Sequence, residues 1–148
     1  MNDPIDIRII GLLQRDGRAT YEELGREVGL SAPSVFSRVR RLRESGAISG
    51  FGARVDPAVF GYGVLAFVRV ELNRATDAQA LIDRFASSPD CEACYALGHA
   101  EELLLRIRLR SLEELSPYLG AIRRGGGRPR AELVVRTVFE RDFTPRLA

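Results

Sequence analysis

The residues best suited to chemistry lie between Ser31 and Gly46, where a helix start, a narrow apolar seam and several arginines share a few turns. Val35, Val39 and Leu42 recur at i, i+4 and i+7 and make one buried stripe, while Pro33, Ser37, Arg40 and Arg41 point the other way. The small residues Ala32, Ser34 and Ser37 stand at the front of this helix, with Arg38, Arg40, Arg41 and Arg43 behind them. Hydroxyl and guanidinium donors on one helix face are the groups that bond base edges and phosphates, so the pattern is that of a helix entering the major groove of double-stranded DNA. The candidate DNA contacts are Ser31, Pro33, Ser34, Ser37, Arg38, Arg40, Arg41 and Arg43. The wheel turns Ser34, Ser37, Arg38 and Arg41 toward bases and Arg40 and Arg43 toward phosphates.

A basic helix on its own is more often a solvated surface, and the segment before it decides otherwise. Thr20-Tyr21-Glu22-Glu23 has the capping-box pattern, predicting a helix that runs to about Glu27 or Val28. Gly29 is a natural left-handed stop, Leu30 anchors the turn and Ser31 caps the next helix, which is helix-turn-helix spacing. Upstream, Asp3-Pro4 offers an N-cap with proline at the first helical position, and Ile5, Ile9, Leu12 and Leu13 supply a core-facing stripe as far as Gly17.

Global composition adds little to this local signal. The net charge is +2 over 148 residues, and all 22 cationic side chains are arginine. No apolar run is long enough to span a membrane, and the N-terminus carries Asp3 and Asp6 rather than a basic region before a hydrophobic stretch, so a cytoplasmic protein is expected. Cys91 and Cys94 are too few for a structural zinc, and on a strand they are expected to point to opposite faces as unpaired thiols. His99 is the sole histidine, leaving no set for nucleophilic or metal-dependent catalysis; no cofactor is expected.

After Gly46, residues 47–55 alternate loosely through Ile48, Phe51 and Val55 and predict a short hairpin or wing. Residues 1–55 therefore form a helix-turn-helix domain, 56–63 a linker marked by Asp56-Pro57 and Gly61-Tyr62-Gly63, and 64–148 a second domain. There the period changes to two over 64–72, followed by a helix over 77–87, strands over 91–97 and 102–110, a second helix with a capping box at Ser111 to Glu114, and a last strand over 132–140. The order βαββαβ is the ferredoxin-like arrangement, giving an α+β protein. Leu104, Arg106, Arg108 and Arg110 fall on the sheet face away from the helices, and the arginines are read as paired or solvated in a subunit interface, with Glu71 and partner-chain residues available to neutralise them. Pro117 predicts a kink or a late start in the second helix, and Gly125-Gly126-Gly127 reads as a plain flexible connection.

Asp3-x-x-Asp6-x-x-Ile9-Ile10, Leu13-Gln14-x-Asp16-Gly17-Arg18, Glu23-Leu24, Val28-Gly29-Leu30-Ser31, Arg38-Val39-x-Arg41-Leu42 and Ser45-Gly46-x-Ile48 together resemble the Lrp/AsnC family of bacterial and archaeal feast/famine regulators. The resemblance continues through Asp56-Pro57, Gly61-Tyr62 and Cys94-Tyr95. It implies a winged helix-turn-helix joined to a ferredoxin-like regulatory domain, homodimers that often assemble into octamers, and amino-acid effectors bound between dimers. The family's Gly-Asp-x-Asp turn stands here as Gly98-His99-Ala100-Glu101, the candidate effector site, and its Thr-x-Thr is replaced by Pro129-x-Ala131. Glu101 still offers a carboxylate to an ammonium group. A sequence-specific transcriptional regulator is the reading these residues favour. A siroheme-decarboxylase-like enzyme and a ligand-independent DNA-binding assembly protein are the alternatives.

Overall fold

Three helices open the chain, each beginning where a polar cap meets an apolar stripe: α1 (Pro4–Arg15), α2 (Tyr21–Val28) and α3 (Ala32–Glu44). The computed structural model describes residues 3–73, 77–98, 101–141 and 143. At α1 the Asp3 carboxylate accepts from the Ile5 amide at 2.8 Å, and Pro4 takes a position whose N–H has no helical partner. At α2 the Glu23 amide donates to the Thr20 hydroxyl at 3.2 Å and the Thr20 amide donates to the Glu23 carboxylate at 2.7 Å, a complete capping box. Gly29 ends α2 with a φ of +71°, a conformation in which a Cβ is strained. Ile9, Leu13, Leu24, Val35 and Val39 form the shared core of these helices, with Ile48 packed against it.

Cα packing divides the chain into two units. One is formed by residues up to 54 together with the described chain from Phe139, where the Gln14 side-chain amide donates to the Phe143 carbonyl at 2.7 Å. The expected hairpin over 47–55 is not formed: among the described residues this segment holds no strand. Its apolar content explains this, because Ile48 is drawn to the helical core while Phe51 and Val55 stay exposed, and a lone two-stranded ribbon is marginal in water.

The second unit, Val55–Val138, begins with a 3-10 turn at Pro57–Phe60, capped by the Asp56 carboxylate and closed by Gly61 with a φ of +82°. It continues with β1 (Val64–Glu71), α4 (Ala78–Ala86), β2 (Cys91–Ala96), β3 (Glu102–Leu109), α5 (Leu115–Arg124) and β4 (Arg128–Leu133). The sheet order is β2-β3-β1-β4 with every neighbouring pair antiparallel, which is the ferredoxin-like topology. Val68 and Val70 of β1, Leu103, Leu105, Ile107 and Leu109 of β3, Leu81 and Phe85 of α4, and Ile122 of α5 bury one face of the sheet under the two helices.

Four details depart from the sequence reading. The last strand runs over Arg128–Leu133 rather than 132–140, with Pro129 opposite Val70 on an edge strand, where its missing N–H costs no ladder bond. The capping box at Ser111 is not made; the Glu114 carboxylate accepts from the Arg110 amide at 2.9 Å, and a 3-10 turn over Leu112–Glu114 precedes α5. Pro117 then falls in the first turn of α5, the late start that avoids a broken helical bond. A bulge between Cys91 and Ala93 shifts the strand's parity, so that Cys91 and Cys94 stand opposite Ile107 and Leu105 and share one face. Burial pushes both thiols up from their ordinary value. Finally, the arginine row finds partners within the chain, and among the described residues Glu71 is not one of them. Arg106 and Arg108 both bridge to Glu92, Arg69 bridges to Glu102 at 2.9 Å, and the Arg110 guanidinium lies 4.8 Å from the centre of the Tyr62 ring.

Gly25 offers a test of the turn between α2 and α3. A Cβ built there runs into the backbone carbonyl of Leu30, whose amide donates to the Gly25 carbonyl at 2.9 Å. Glycine to alanine inside a helix ordinarily stabilises by up to about 1 kcal/mol. Here the clash is with backbone and reverses the sign, so Gly25→Ala is expected to destabilise by roughly 1–3 kcal/mol in chemical denaturation. An unchanged or raised midpoint contradicts this account of the turn.

Candidate nucleic-acid interface

The candidate recognition face is built by α3 with its apolar side sealed. Val35, Val39 and Leu42 are each at most 2% exposed, which fixes the rotation of the helix about its axis and turns Pro33, Ser34, Ser37, Arg40, Arg41 and Arg43 outward. Ser31 occupies the N-cap position, but its hydroxyl caps no amide; it lies 2.9 Å from the Ser34 hydroxyl. The Ser37 hydroxyl donates to the Pro33 carbonyl at 3.0 Å. All three serines therefore sit on the exposed face with lone pairs free for a ligand's donors, and an exposed hydroxyl can exchange a local bond for an external one at little cost.

The arginines divide by partner. Arg40 bridges to Glu44 one turn along, an exposed pair of small energetic value, and that bond holds its guanidinium charged above the ordinary arginine range. Arg38 behaves differently, donating through Nη1 to Asp3 and to Asp6, each at 2.7 Å, with its side chain 24% exposed. Arg41 donates through Nη2 to the other oxygen of Asp6 at 2.8 Å while remaining 63% exposed. Asp6 is the one charged residue among the described buried ones. The sequence places all eight candidate contacts at the start or along the length of α3, and the structure brings them together there; it commits Arg38 to α1 rather than to solvent.

Two features of this surface escaped sequence reasoning. Tyr21 and Phe36 meet edge to face with ring centres 5.6 Å apart, both partly exposed, and with Arg40, Arg43, Glu44 and Ile48 line a cleft of about 510 Å³ on the first unit. Their separation in sequence carries no periodic signal. Asp3 and Asp6 read as helix-start residues, and nothing local marks them as ion-pair partners of α3. In the second unit, Gly98 and Glu101 are exposed, and the Glu101 carbonyl accepts from the Leu72 amide. His99 and Ala100 lie outside the described residues.

Known proteins resemble the first unit and the chain as a whole. An AsnC-type helix-turn-helix domain matches residues 3–43, which span all three helices of the first unit. The HTH-type transcriptional regulator FL11 of Pyrococcus horikoshii is 35% identical over 120 residues, covering 81% of this chain and 79% of that protein. The HTH-type transcriptional regulator LrpA of Mycobacterium tuberculosis is 33% identical over 148 residues and 97% of each chain. The chain belongs to the Lrp/AsnC family. It is a DNA-binding transcriptional regulator with a helix-turn-helix unit and a ferredoxin-like unit. A solved Lrp/AsnC structure, a feast or famine regulatory protein of M. tuberculosis complexed with L-methionine, is 33% identical, has a TM-score of 0.86 and covers 98% of this chain and 100% of that one.

The Asp3–Arg38 pair gives the Lrp/AsnC fold a pH dependence with a definite sign. The Arg38 hydrogen bond, followed by the Ile5 amide, holds the Asp3 carboxyl below its ordinary value of 3.8. Bonds from the Thr20 amide and hydroxyl lower Glu23 below 4.5 in the same way. A group depressed by folding stabilises the fold above its unfolded value and loses that contribution as the pH falls through the folded one. The thermal midpoint is therefore expected to drop below about pH 4, and Asp3→Asn, which keeps the cap but not the charge, is expected to flatten that drop. Identical pH profiles for the two proteins count against the pair.

Proposed function

We propose that the outward face of α3 is the DNA-reading surface, with Ser31, Pro33, Ser34 and Ser37 at the groove floor, Arg41 at base edges, and Arg40 and Arg43 nearer the phosphates. The observation that carries this is a helix whose apolar side is fully buried while small hydroxyl residues and arginines occupy its exposed side. Arg38, held between two aspartates, enters as the anchor of α3 to α1. The protein acts in the cytoplasm as a regulator, without catalysis; its relatives carry the names of transcriptional regulators. It binds inverted repeats as a homodimer, because one recognition helix per chain gains useful specificity from two half-sites. The exposed apolar residues Val135, Val138 and Phe139 of the second unit and the tail support assembly with further copies. The methionine complex of the M. tuberculosis relative supports an amino-acid effector, which we place at the turn from Gly98 to Glu101, with the Glu101 carboxylate facing the ammonium.

Binding titrations on a selected operator test the assignment. Arg41→Ala is expected to weaken binding by about 1–3 kcal/mol and relax base preference, and Arg43→Ala to reduce the salt slope by about one unit with preference retained. Wild-type affinity in both variants rules out the surface. Thermal-shift screening with the twenty amino acids is expected to find a ligand that stabilises the wild type and not Glu101→Ala. A panel without response removes the effector, and a monomer in light scattering at micromolar concentration removes the dimer.

A further inference from the structure

We infer that Asp6 is a positioning residue for base reading, aiming the Arg41 guanidinium. The inference rests on the proposed role of α3 in DNA binding and goes beyond it by assigning a residue of a different helix to specificity.

Asp6 lies in the first turn of α1 and is 6% exposed. Its two oxygens accept from two guanidiniums that stand three residues apart on α3, Arg38 Nη1 on Oδ1 at 2.7 Å and Arg41 Nη2 on Oδ2 at 2.8 Å. The two arginines are not equivalent. Arg38 has a second carboxylate, Asp3, and is 24% exposed, so its head group is enclosed by protein. Among the described residues Arg41 pairs with Asp6 alone and is 63% exposed, so one of its five N–H donors is held by protein while most of the side chain stays accessible to solvent.

A free arginine side chain must give up its rotamer freedom when it docks on guanine O6 and N7 with both nitrogens in one plane. A buried carboxylate that already holds one nitrogen removes part of that freedom before DNA arrives, and Asp6 cannot itself wander because Arg38 holds its other oxygen. Charge points the same way. Arg38 and Arg41 with Asp3 and Asp6 sum to zero, so this cluster adds little attraction for phosphate and its contribution is orientation, which serves base edges.

A purely structural role for Asp6, stapling α1 to α3, predicts something different, and a double-mutant cycle separates the two. The full-length chain selects duplexes from a random-sequence pool. Affinity for the selected duplex and for a shuffled duplex of the same length is then measured for wild type, D6N, R41A, D6N/R41A and R38Q, with thermal melts of each. The specificity ratio is expected to fall about fivefold to tenfold in D6N, at least as far in R41A, and no further in the double variant. R38Q is expected to melt lower and to lose a smaller share of the ratio than D6N, since Arg41 retains Asp6 while Asp6 loses one of its two holders. If D6N loses its helix content at the assay temperature, D6A, which also removes the carboxylate, replaces it in the same cycle at a lower temperature where it stays folded, and is judged by the same outcomes. A wild-type ratio in the Asp6 variant, or an equal loss with and without Arg41, overturns the inference alone. A wild-type chain that selects no motif overturns the DNA reading of α3 and this inference with it.

Discussion

A carboxylate buried to the extent of Asp6 survives only if donors surround it, and that requirement shapes the whole helical unit. The apolar core there is small, built on Ile9, Leu13, Leu24, Val35 and Val39, and hydrophobic contact alone is tolerant of a few degrees of helix rotation. The ion pairs from Arg38 and Arg41 are directional. They meet α1 on the flank of α3 next to the buried stripe, so the helix is held by packing on one line and by charge on an adjacent one. Breaking one partner of such a buried pair costs more than the pair contributes, because the remaining charge is left dry. The outward face of α3 inherits its definition from this arrangement.

The ferredoxin-like unit solves a related problem with different means. One sheet face is apolar and covered by α4 and α5; the other carries Arg69, Arg106 and Arg108. Glu92 serves two of these arginines because the bulge in β2 adds one residue to the strand and frees its carboxylate to reach both. The net charge of +2 is the difference between 22 cationic and 20 acidic side chains, and composition alone says little about where either unit is positive.

The three helices and the βαββαβ order were legible because each depends on neighbours in sequence: the Asp3-Pro4 start, the Thr20 and Glu23 box, the Gly29 stop, and the alternation along β1 and β3. What was not legible depends on residues far apart. The bonds from Arg38 to Asp6 and from Arg41 to Asp6 span 32 and 35 positions, and no periodic pattern marks them. Tyr21 and Phe36 meet only because the turn brings α2 against α3. The faces of Cys91 and Cys94 were misread since strict alternation holds only in an unbroken ladder, and a bulge is invisible to a rule of period two. The last strand was placed too late because Pro129 and the glycines before it argue against a strand, an argument that fails at a sheet edge.

The same bulge bears on colloidal behaviour. β2 and β4 end the sheet, and an exposed strand edge is a template on which another chain can add. In β2 the extra residue bends the strand and interrupts its spacing of amide and carbonyl groups, while in β4 the sequence Arg128-Pro129-Arg130 sets two like charges around a residue that cannot donate. Both features work against an incoming strand in register. Open-ended sheet growth, the route to fibrils, is therefore disfavoured at both edges in a protein with exposed valine and phenylalanine side chains.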